Sequence, residues 1–189
     1  MPPHNILITG AAGYLGSIVL DELAASQRWQ ASGGQLFALD IREPVAGLLR
    51  EQVVFIRQDI RSPRLQEIFT AHRIDTVVHL AAIVNPGKNS TRQLEYDIEV
   101  NGTKNVLDAC LAANTGKIIV SSSGAAYGYY ADNPAWLQEH HPLRGNENFA
   151  YAYHKRLIEE MLARYREQQP ALEQVIFRIG TILGETTDN

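Results

Sequence analysis

The stretch TGAAGYLG, residues 9–16, directly follows the apolar run NILI and spaces three glycines at intervals of three. A strand, a tight glycine turn and a helix start in succession form an anion-binding site, because the first helical turn presents unpaired N–H groups and the positive dipole end. In this pattern Gly10 permits the tight turn, Gly13 the close approach of a pyrophosphate, and Gly16 the packing of helix on sheet. Glycines also occur in ordinary turns, so the motif predicts dinucleotide binding only in combination with the next strand of the chain.

A carboxylate stands at the end of the next apolar run, where FALD finishes with Asp40. A carboxylate at the tip of a second strand accepts both ribose hydroxyls of an adenosine and repels a 2′-phosphate. A helix cap or a solvated loop charge is the alternative role for Asp40, and Arg42 could meet a 2′-phosphate. Strand, glycine loop, helix, strand and acid in this order predict dinucleotide binding, with NAD preferred to NADP.

Short apolar runs rich in β-branched residues alternate with helical patterns along the chain. Continuous apolar runs are typical of strands buried on both faces, and these span 5–9, 35–40, 53–59, 76–82, 117–123 and 174–179. Helical patterns span 14–26, 62–72, 90–114 and 151–169. Ser62 is the expected N-cap of the second helix and Asn114 the expected stop of the third. The alternation predicts an α/β fold, a doubly wound parallel sheet with helices on both faces.

The first helix is expected to gather one stripe of side chains, namely Leu15, Ile18, Val19, Glu22 and Leu23. His79 lies within the fourth apolar run and is expected to be a hydrogen-bonded histidine on a buried strand.

Tyr151 and Lys155 lie four residues apart on the last predicted helix and therefore on one face. Proton transfer near neutral pH requires the phenol pKa, about 10 in isolation, to fall by roughly 3 units. An ammonium about 6 Å away, at an effective dielectric constant of about 20, supplies roughly 2 of these units. The positive ring of an oxidised nicotinamide would supply the rest. A surface tyrosine packed on a lysine stem is the alternative.

The run SSSGAAYG, residues 121–128, ends the fifth predicted strand. Because the carboxyl ends of parallel strands line the ligand crevice, a serine hydroxyl there can bond a substrate oxygen while the tyrosine moves a proton. The other two serines are expected to cap the strand end and begin a turn.

Composition excludes several classes of protein. The 189 residues are 45% hydrophobic and 20% charged, with a formal net charge of −4 and no long run of one sign. This balance argues against nucleic acid or an anionic membrane as a partner. No apolar run is long enough for a membrane span, and the start MPPHNILITG lacks the pattern of a signal peptide. The single cysteine, Cys110, fits a reducing compartment, so a cytoplasmic location is expected. His140 and His141 lack partner ligands in the sequence, so no metal site is expected.

Together these motifs resemble the extended short-chain dehydrogenase/reductase family, in particular its NAD-dependent epimerase/dehydratase branch, over essentially the whole chain. TGAAGYLG matches the T-G-x-x-G-x-x-G of that branch. The resemblance implies a Rossmann fold, NAD as the cofactor, and Ser123, Tyr151 and Lys155 as the catalytic serine, tyrosine and lysine. Within the resemblance, QDI holds the adenine, HLAA lies beside the ribose and phosphates, and a helix asparagine supports the active site. The cofactor-binding positions implied are Gly10, Gly13, Tyr14, Leu15, Gly16, Asp40, Asp59, Ile60, Leu80, Ala81, Ala82, Asn101, Tyr151 and Lys155.

The sequence departs from the family pattern at two positions. His154 stands where a small residue usually precedes the lysine, and Thr181 stands where an asparagine often helps to hold a nucleotide-sugar. Gly124 and Ala125 after Ser123 are closer to the 4-epimerase pattern than to that of dehydratases. The expected activity is therefore an NAD-dependent epimerase/dehydratase-type oxidoreduction of a sugar or nucleotide-sugar hydroxyl through a transient ketone. An NAD-dependent alcohol/ketone dehydrogenase on a non-sugar substrate, and an NAD-sensing regulator without turnover, are the alternatives.

Family members continue well beyond the motif FRIGTILGE with a smaller substrate domain. Residues 1–189 are therefore expected to form a single NAD-binding domain from which the substrate domain is largely missing. The family commonly pairs two helices of each protomer into a four-helix bundle. Apolar residues on 90–114 and 151–169 predict such a homodimer, among them Leu94, Ile98, Leu157 and Met161.

Overall fold

The computed structural model of the chain describes residues 4–43, 52–83, 86–184 and 187. Within these ranges six strands form one parallel sheet in the order β3-β2-β1-β4-β5-β6. The strands are β1 Ile6–Thr9, β2 Leu36–Asp40, β3 Val53–Arg57, β4 Thr76–His79, β5 Lys117–Ser123 and β6 Glu173–Ile179. The strand order reverses between β1 and β4, and this reversal opens a crevice at their carboxyl ends. The predicted doubly wound parallel sheet is confirmed.

The helices connect these strands and cover both faces of the sheet. They are α1 Tyr14–Ala25, α2 Gln27–Gln30, α3 Leu65–Ala71, α4 Arg92–Tyr96, α5 Gly102–Ala112 and α6 Ala150–Gln168. A π-helical turn, Asp97–Asn101, joins α4 to α5, and a 3₁₀ turn, Gly124–Tyr127, follows β5. The long predicted helix over 90–114 is thus present but interrupted, and α2 is an element that the sequence did not predict.

Two apolar layers hold the helices against the sheet. On one face, Leu7, Phe37 and Ile118 of the strands pack with side chains of α3, α5 and α6. On the other face, Ile8 and Ala38 pack with side chains of α1 and α2. Each fully buried Leu, Ile or Phe contributes about 1.5–3 kcal/mol relative to an exposed one, so both layers fix the helices that carry the site.

The buried face of α1 differs from the expected stripe. Gly16, Leu20 and Ala24 are buried, whereas Ile18 is 43% exposed and Glu22 is exposed. Leu20 is fully buried, and Val19 and Leu23 pack against the same apolar layer, so the predicted stripe is confirmed at Val19 and Leu23 and wrong at Ile18 and Glu22. A Cβ at Gly16 would lie 2.1 Å from the Gly10 carbonyl oxygen, so the start of the helix lies directly against the glycine loop.

Two helix boundaries test the capping predictions. The prediction of Ser62 as a helix N-cap is wrong, because α3 begins at Leu65 and Ser62 closes a turn, with its hydroxyl oxygen accepting from Arg64 N at 3.3 Å. Asn114 is confirmed as the stop after α5. Its φ of 55° is left-handed, and the following N–H, of Thr115, bonds back to the Cys110 carbonyl at 2.9 Å.

Candidate cofactor-binding and active site

The glycine loop joins β1 to α1, and its residues Gly10 and Gly13 line the crevice. Gly10 has a φ of 70°, and a Cβ added there would lie 2.7 Å from the backbone N of Ala81. The helix starts after Gly13, which as N-cap offers no side chain to bond the first N–H groups. The uncapped helix end and the glycine cradle therefore fit a phosphate group, as the sequence predicted.

Asp40 ends β2 beside this loop and is 8% exposed. Its Oδ2 accepts from the backbone N of Ala12 at 3.0 Å, and its Oδ1 accepts from that of Arg42 at 3.0 Å. The Arg42 guanidinium stands 4.0 Å from Oδ1 and its side chain is 70% exposed. The carboxylate is thus held in a fixed orientation, and each oxygen keeps a further lone pair for a ribose hydroxyl.

A cavity of about 680 Å³ extends from the glycine loop past Asp40 toward β3 and β4. Predicted cofactor-binding residues line it, namely Gly10, Gly13, Tyr14, Asp40, Asp59, Ile60, Leu80, Ala81 and Ala82. Asp59 is held by Arg61, whose Nη2 lies 2.6 Å from Oδ2, and this hydrogen bond lowers the pKa of the Asp59 carboxyl. The carboxylate and the apolar walls of this cavity suit an adenosine.

A second cavity, of about 670 Å³, continues from the other side of the loop to the ends of β5 and β6. It shares Gly10, Gly13, Tyr14, Leu80 and Ala82 with the first, so the two form one cleft. The remaining predicted site residues in it are Leu15, Gly16, Ser123, Tyr151 and Lys155. The structure thus brings the predicted catalytic and phosphate-binding residues to the same cleft.

The three serines at the end of β5 have different environments. Ser121 lines the cleft and offers its carbonyl to Lys155 Nζ at 3.2 Å. Ser122 is buried and donates to Glu159 Oε1 at 2.5 Å. Ser123 lies in the cleft, and its Oγ accepts from Ala125 N at 3.1 Å, which closes the 3₁₀ turn. The hydroxyl of Ser123 is thereby oriented beside Tyr151.

Lys155 and Tyr151 lie together on α6, with the Lys155 Nζ 5.5 Å from the centroid of the tyrosine ring. Burial raises the pKa of Tyr151, a hydrogen bond with Ser123 lowers it, and the Glu99 charge raises it further. The expected lowering by Lys155 is therefore wrong for the chain as it stands. The physical reason is that burial of the phenol outweighs the other effects, while the Lys155 ammonium lies over the ring and donates to the Ser121 carbonyl. Lys155 is 4% exposed, and its burial lowers its own pKa.

His79 is confirmed as a hydrogen-bonded histidine on a buried strand. Its Nδ1 lies 2.7 Å from Thr9 Oγ1, and its Nε2 lies 2.9 Å from Thr103 Oγ1. Burial, and secondarily the Lys155 charge, lowers its pKa to about 3. His79 is therefore neutral at physiological pH.

Asn101 is the predicted site residue that the structure does not place in the cleft. It is exposed and donates to Asp97 Oδ1 at 2.9 Å on the outer side of the π-helical turn. The inward position of that turn belongs to Glu99, which is 2% exposed. Sequence reasoning missed Glu99. The available signal was a carboxylate between the apolar residues Ile98 and Val100, but an unbroken helix would have turned another residue inward.

The part of the chain that the structure describes contains neither a candidate metal site nor a candidate membrane-spanning helix. There, no group of three His, Cys, Asp or Glu side chains converges as a metal site would require. Nor does any helix within the same residues combine the length and apolar character needed to cross a membrane.

The parallel sheet order and the uncapped glycine loop place the chain in the Rossmann class of dinucleotide-binding folds. Residues 6–189 match the NAD dependent epimerase/dehydratase family. The chain belongs to that family.

Comparison with individual proteins gives the same picture. UDP-glucose 4-epimerase 2 of Oryza sativa subsp. japonica is 31% identical over 182 residues, which is 93% of this chain and 44% of that protein. The NAD complex of Thermus thermophilus UDP-glucose 4-epimerase superposes with a TM-score of 0.78 at 26% identity, over 97% of this chain and 57% of that one. The Stenotrophomonas maltophila UDP-glucose-4-epimerase, with bound NAD and formylated UDP-arabinopyranose, superposes with a TM-score of 0.77 at 25% identity, over 98% of this chain and 59% of that one. The chain thus spans about half the length of the relatives it matches.

Proposed function

We propose that this chain is the NAD-binding domain of an epimerase/dehydratase-type oxidoreductase acting on a hydroxyl of a sugar or nucleotide-sugar. The observation that carries the proposal is the single cleft in which the glycine loop and Asp40 meet Ser123, Tyr151 and Lys155. The relatives named above are 4-epimerases of UDP-sugars, which supports the nucleotide-sugar class. Bound NAD would supply a reversible hydride acceptor.

The residues of the cleft fit this cofactor. The first turn of α1 would bind the pyrophosphate, because its N–H groups are uncapped and Gly10 leaves room that a Cβ would fill. Asp40 would accept the adenosine ribose hydroxyls, and Lys155 would hold the nicotinamide ribose. The other cofactor-binding residues of the proposal are Gly13, Tyr14, Leu15, Gly16, Asp59, Ile60, Leu80, Ala81 and Ala82.

Proton transfer in the proposed reaction belongs to Tyr151. Deprotonated to the phenolate, it would take the proton from the substrate hydroxyl as the carbonyl forms, and the Ser123 hydroxyl would hold the substrate oxygen by a hydrogen bond. Because burial raises the pKa of Tyr151, the phenolate needs a nearby positive charge when it forms. In an epimerase the ketone would rotate in the site so that the hydride can return to its other face, and Tyr151 would return the proton to the oxygen.

A simple alcohol/ketone dehydrogenase is the second candidate, because Thr181, where the family often has asparagine, lines the cleft. NADH accumulation separates the two, since an epimerase regenerates its cofactor within each cycle. A 4-epimer formed from a UDP-sugar without net NADH supports the epimerase, and stoichiometric NADH with a non-sugar alcohol supports the dehydrogenase.

Replacement of Asp40 tests the cofactor. We expect Asp40→Ala to weaken NAD binding by about 10–150-fold and to narrow the preference over NADP, because a charged hydrogen bond contributes about 1.5–3 kcal/mol. Glu43→Ala is the matched control, because it removes an exposed carboxylate just after β2. It should leave the affinities for NAD and NADP unchanged. Calorimetric titration measures both; tighter binding of NADP than of NAD by the unmutated chain would refute the assignment.

We further propose a cytoplasmic homodimer formed through α4–α5 and α6. Leu94 is 38% exposed, and Ile98 and Leu157 are partly buried, so these can contact a second copy. Met161 is 6% exposed and packs in the core of its own chain, so it is not part of this surface.

Light scattering tests the homodimer. A dimer mass is expected at micromolar concentration, and Leu94→Glu should shift it toward the monomer. A monomer mass for the unmutated chain would reject the interface.

A further inference from the structure

Glu99 and His154 form a buried pair directly behind the cleft. They are 2% and 1% exposed, and Glu99 Oε2 lies 3.2 Å from His154 Nδ1. The other carboxylate oxygen, Oε1, accepts from the backbone N of Ile83 at 3.1 Å. The carboxylate of Glu99 therefore connects the loop after β4 to α6, the helix that carries Tyr151 and Lys155. This pairing also gives the unusual histidine before the lysine a structural reason.

The backbone at Glu99 is irregular in a way that aims this side chain inward. Glu99 is the central residue of the π-helical turn Asp97–Asn101. Turns of this kind are rare and occur frequently at functional sites, because the extra residue redirects a side chain. Asp97 and Asn101, at the ends of the same turn, bond each other on the outer side.

The charges around Lys155 leave Glu99 without a cation of its own. On α6, Glu159 is neutralised by Arg178 of β6, whose Nη2 lies 2.8 Å from Oε2, and it also accepts from Ser122. Tyr151 on α6 is a phenol of raised pKa, and His79 on β4 is neutral. Among the described residues the Glu99 carboxylate bonds the His154 ring and the Ile83 backbone N–H, and has no lysine or arginine within bonding distance.

Lys155 in turn has no carboxylate among its hydrogen-bond acceptors in the described part of the chain. Its ammonium is almost fully buried and donates to one group in the described part of the chain, the Ser121 carbonyl at 3.2 Å. A buried ammonium with a single neutral acceptor is unfavourable unless a carboxylate nearby balances its charge.

We propose that Glu99 is a positioning residue of the site, whose carboxylate fixes the Ile83 loop and His154 and supplies the counter-charge that keeps the Lys155 ammonium in the cleft. This inference rests on the proposed function for the role of Lys155 toward NAD, although the charge pairing itself does not. His154 supports the proposal because its Nδ1 bonds one oxygen of the Glu99 carboxylate. Its other ring nitrogen, Nε2, has no partner among the described residues, so Glu99 is the hydrogen-bond partner that orients this ring. Burial lowers the pKa of Lys155, and the charges of Glu99 and, after it, Glu159 raise it, so the direction of the Glu99 effect agrees.

The test is Glu99→Gln, which keeps an oxygen for Ile83 N and removes the charge. Asp97→Asn is the matched control, because it removes one carboxylate from the outer side of the same turn. The readout is the pH titration of the Lys155 Cε signal in ¹³C-lysine-labelled protein, which Lys→Arg variants assign because the sequence has four lysines, Lys88, Lys104, Lys117 and Lys155. We expect the Lys155 midpoint to fall by about 1–2 pH units in Glu99→Gln and to stay in place in Asp97→Asn.

NAD affinity across the same pH range provides the second readout. In Glu99→Gln the Lys155 ammonium loses its proton at a lower pH than in the unmutated chain. The NAD affinity of the variant should therefore equal that of the unmutated chain at acidic pH and be roughly tenfold weaker at alkaline pH. A purely structural role would weaken binding equally at every pH. Equal Lys155 midpoints in Glu99→Gln and Asp97→Asn would overturn the inference, whereas absence of NAD binding by the unmutated chain would overturn the proposed function and leave the titration to judge Glu99.

A folding failure of Glu99→Gln also gives a result. The double variant Glu99→Gln/Lys155→Met removes both charges together, so it should fold where the single variant does not. If the double variant fails equally, charge balance is not the role of Glu99.

Discussion

If the chain turns over substrate as proposed, Tyr151→Phe is expected to lower that turnover by about 10²–10⁴-fold, the contribution typical of a positioned general acid–base group. The ring of phenylalanine keeps the packing between Phe149 and the Lys155 ammonium, which lie 6.2 Å and 5.5 Å from the Tyr151 centroid. NAD affinity should therefore change little. The loss should appear in the rate because, in the proposed reaction, the Tyr151 oxygen exchanges a proton with the substrate.

Tyr153→Phe is the control for this prediction. Tyr153 is two residues away on the same helix, and its ring contacts the Arg92 and Arg156 guanidiniums at 5.5 Å and 4.9 Å. These contacts need no hydroxyl, so turnover should remain near that of the unmutated protein. Steady-state kinetics with a UDP-sugar measure both variants, and a larger loss in Tyr153→Phe would remove Tyr151 from the mechanism.

Gly10→Ala is expected to lower the free energy of unfolding by about 2–5 kcal/mol, a large part of the 5–15 kcal/mol typical of a domain. Two costs combine at this position. A left-handed φ of 70° costs a residue with a Cβ about 1–2 kcal/mol. The added Cβ would also stand 2.7 Å from the backbone N of Ala81, and forcing such an overpacked contact costs about 1–3 kcal/mol.

Gly33→Ala separates these two costs. Gly33 has nearly the same φ, 69°, but nothing within 4 Å of an added Cβ. Its loss should therefore stay within about 1–2 kcal/mol. Chemical denaturation followed by circular dichroism measures the two variants, and equal losses would show that the contact between the glycine loop and Ala81 is unimportant. NAD binding should fall in Gly10→Ala alone, because Gly33 lies outside the cleft.

The strands were the most predictable part of the fold. Runs such as LFALD, residues 36–40, are buried along their whole length, and a continuous apolar run reports that burial directly. The glycine spacing and Asp40 identified the crevice because each depends on local backbone chemistry. Tyr151 and Lys155 were found because a spacing of four residues on a regular helix fixes their common face.

The failures share a physical cause, which is that helix faces and irregular turns depend on tertiary packing. Two of the three buried residues of α1, Gly16 and Ala24, are small while Ile18 is exposed, which apolar periodicity does not predict. The π-helical turn shifted the inward position to Glu99, and a regular helix drawn through 90–114 gave no sign of it. The Tyr151 pKa depended mainly on the burial of the phenol, which spacing along the helix does not determine.

The hydrogen bonds of His79 have a fixed direction, and this decides what the imidazole can do. The Thr103 hydroxyl donates to the Glu99 carbonyl at 2.5 Å, so its oxygen is left to accept from His79 Nε2. The proton of the neutral ring is therefore on Nε2, and Nδ1 accepts from the Thr9 hydroxyl. The series of hydrogen bonds therefore runs in one direction, from the Thr9 hydroxyl at the end of β1 through His79 and Thr103 to the Glu99 carbonyl. His79 therefore links the end of β1 to the turn that carries Glu99 through hydrogen bonds of fixed direction. In the proposed reaction it has no proton to exchange with a substrate, and Tyr151 is the group that does so.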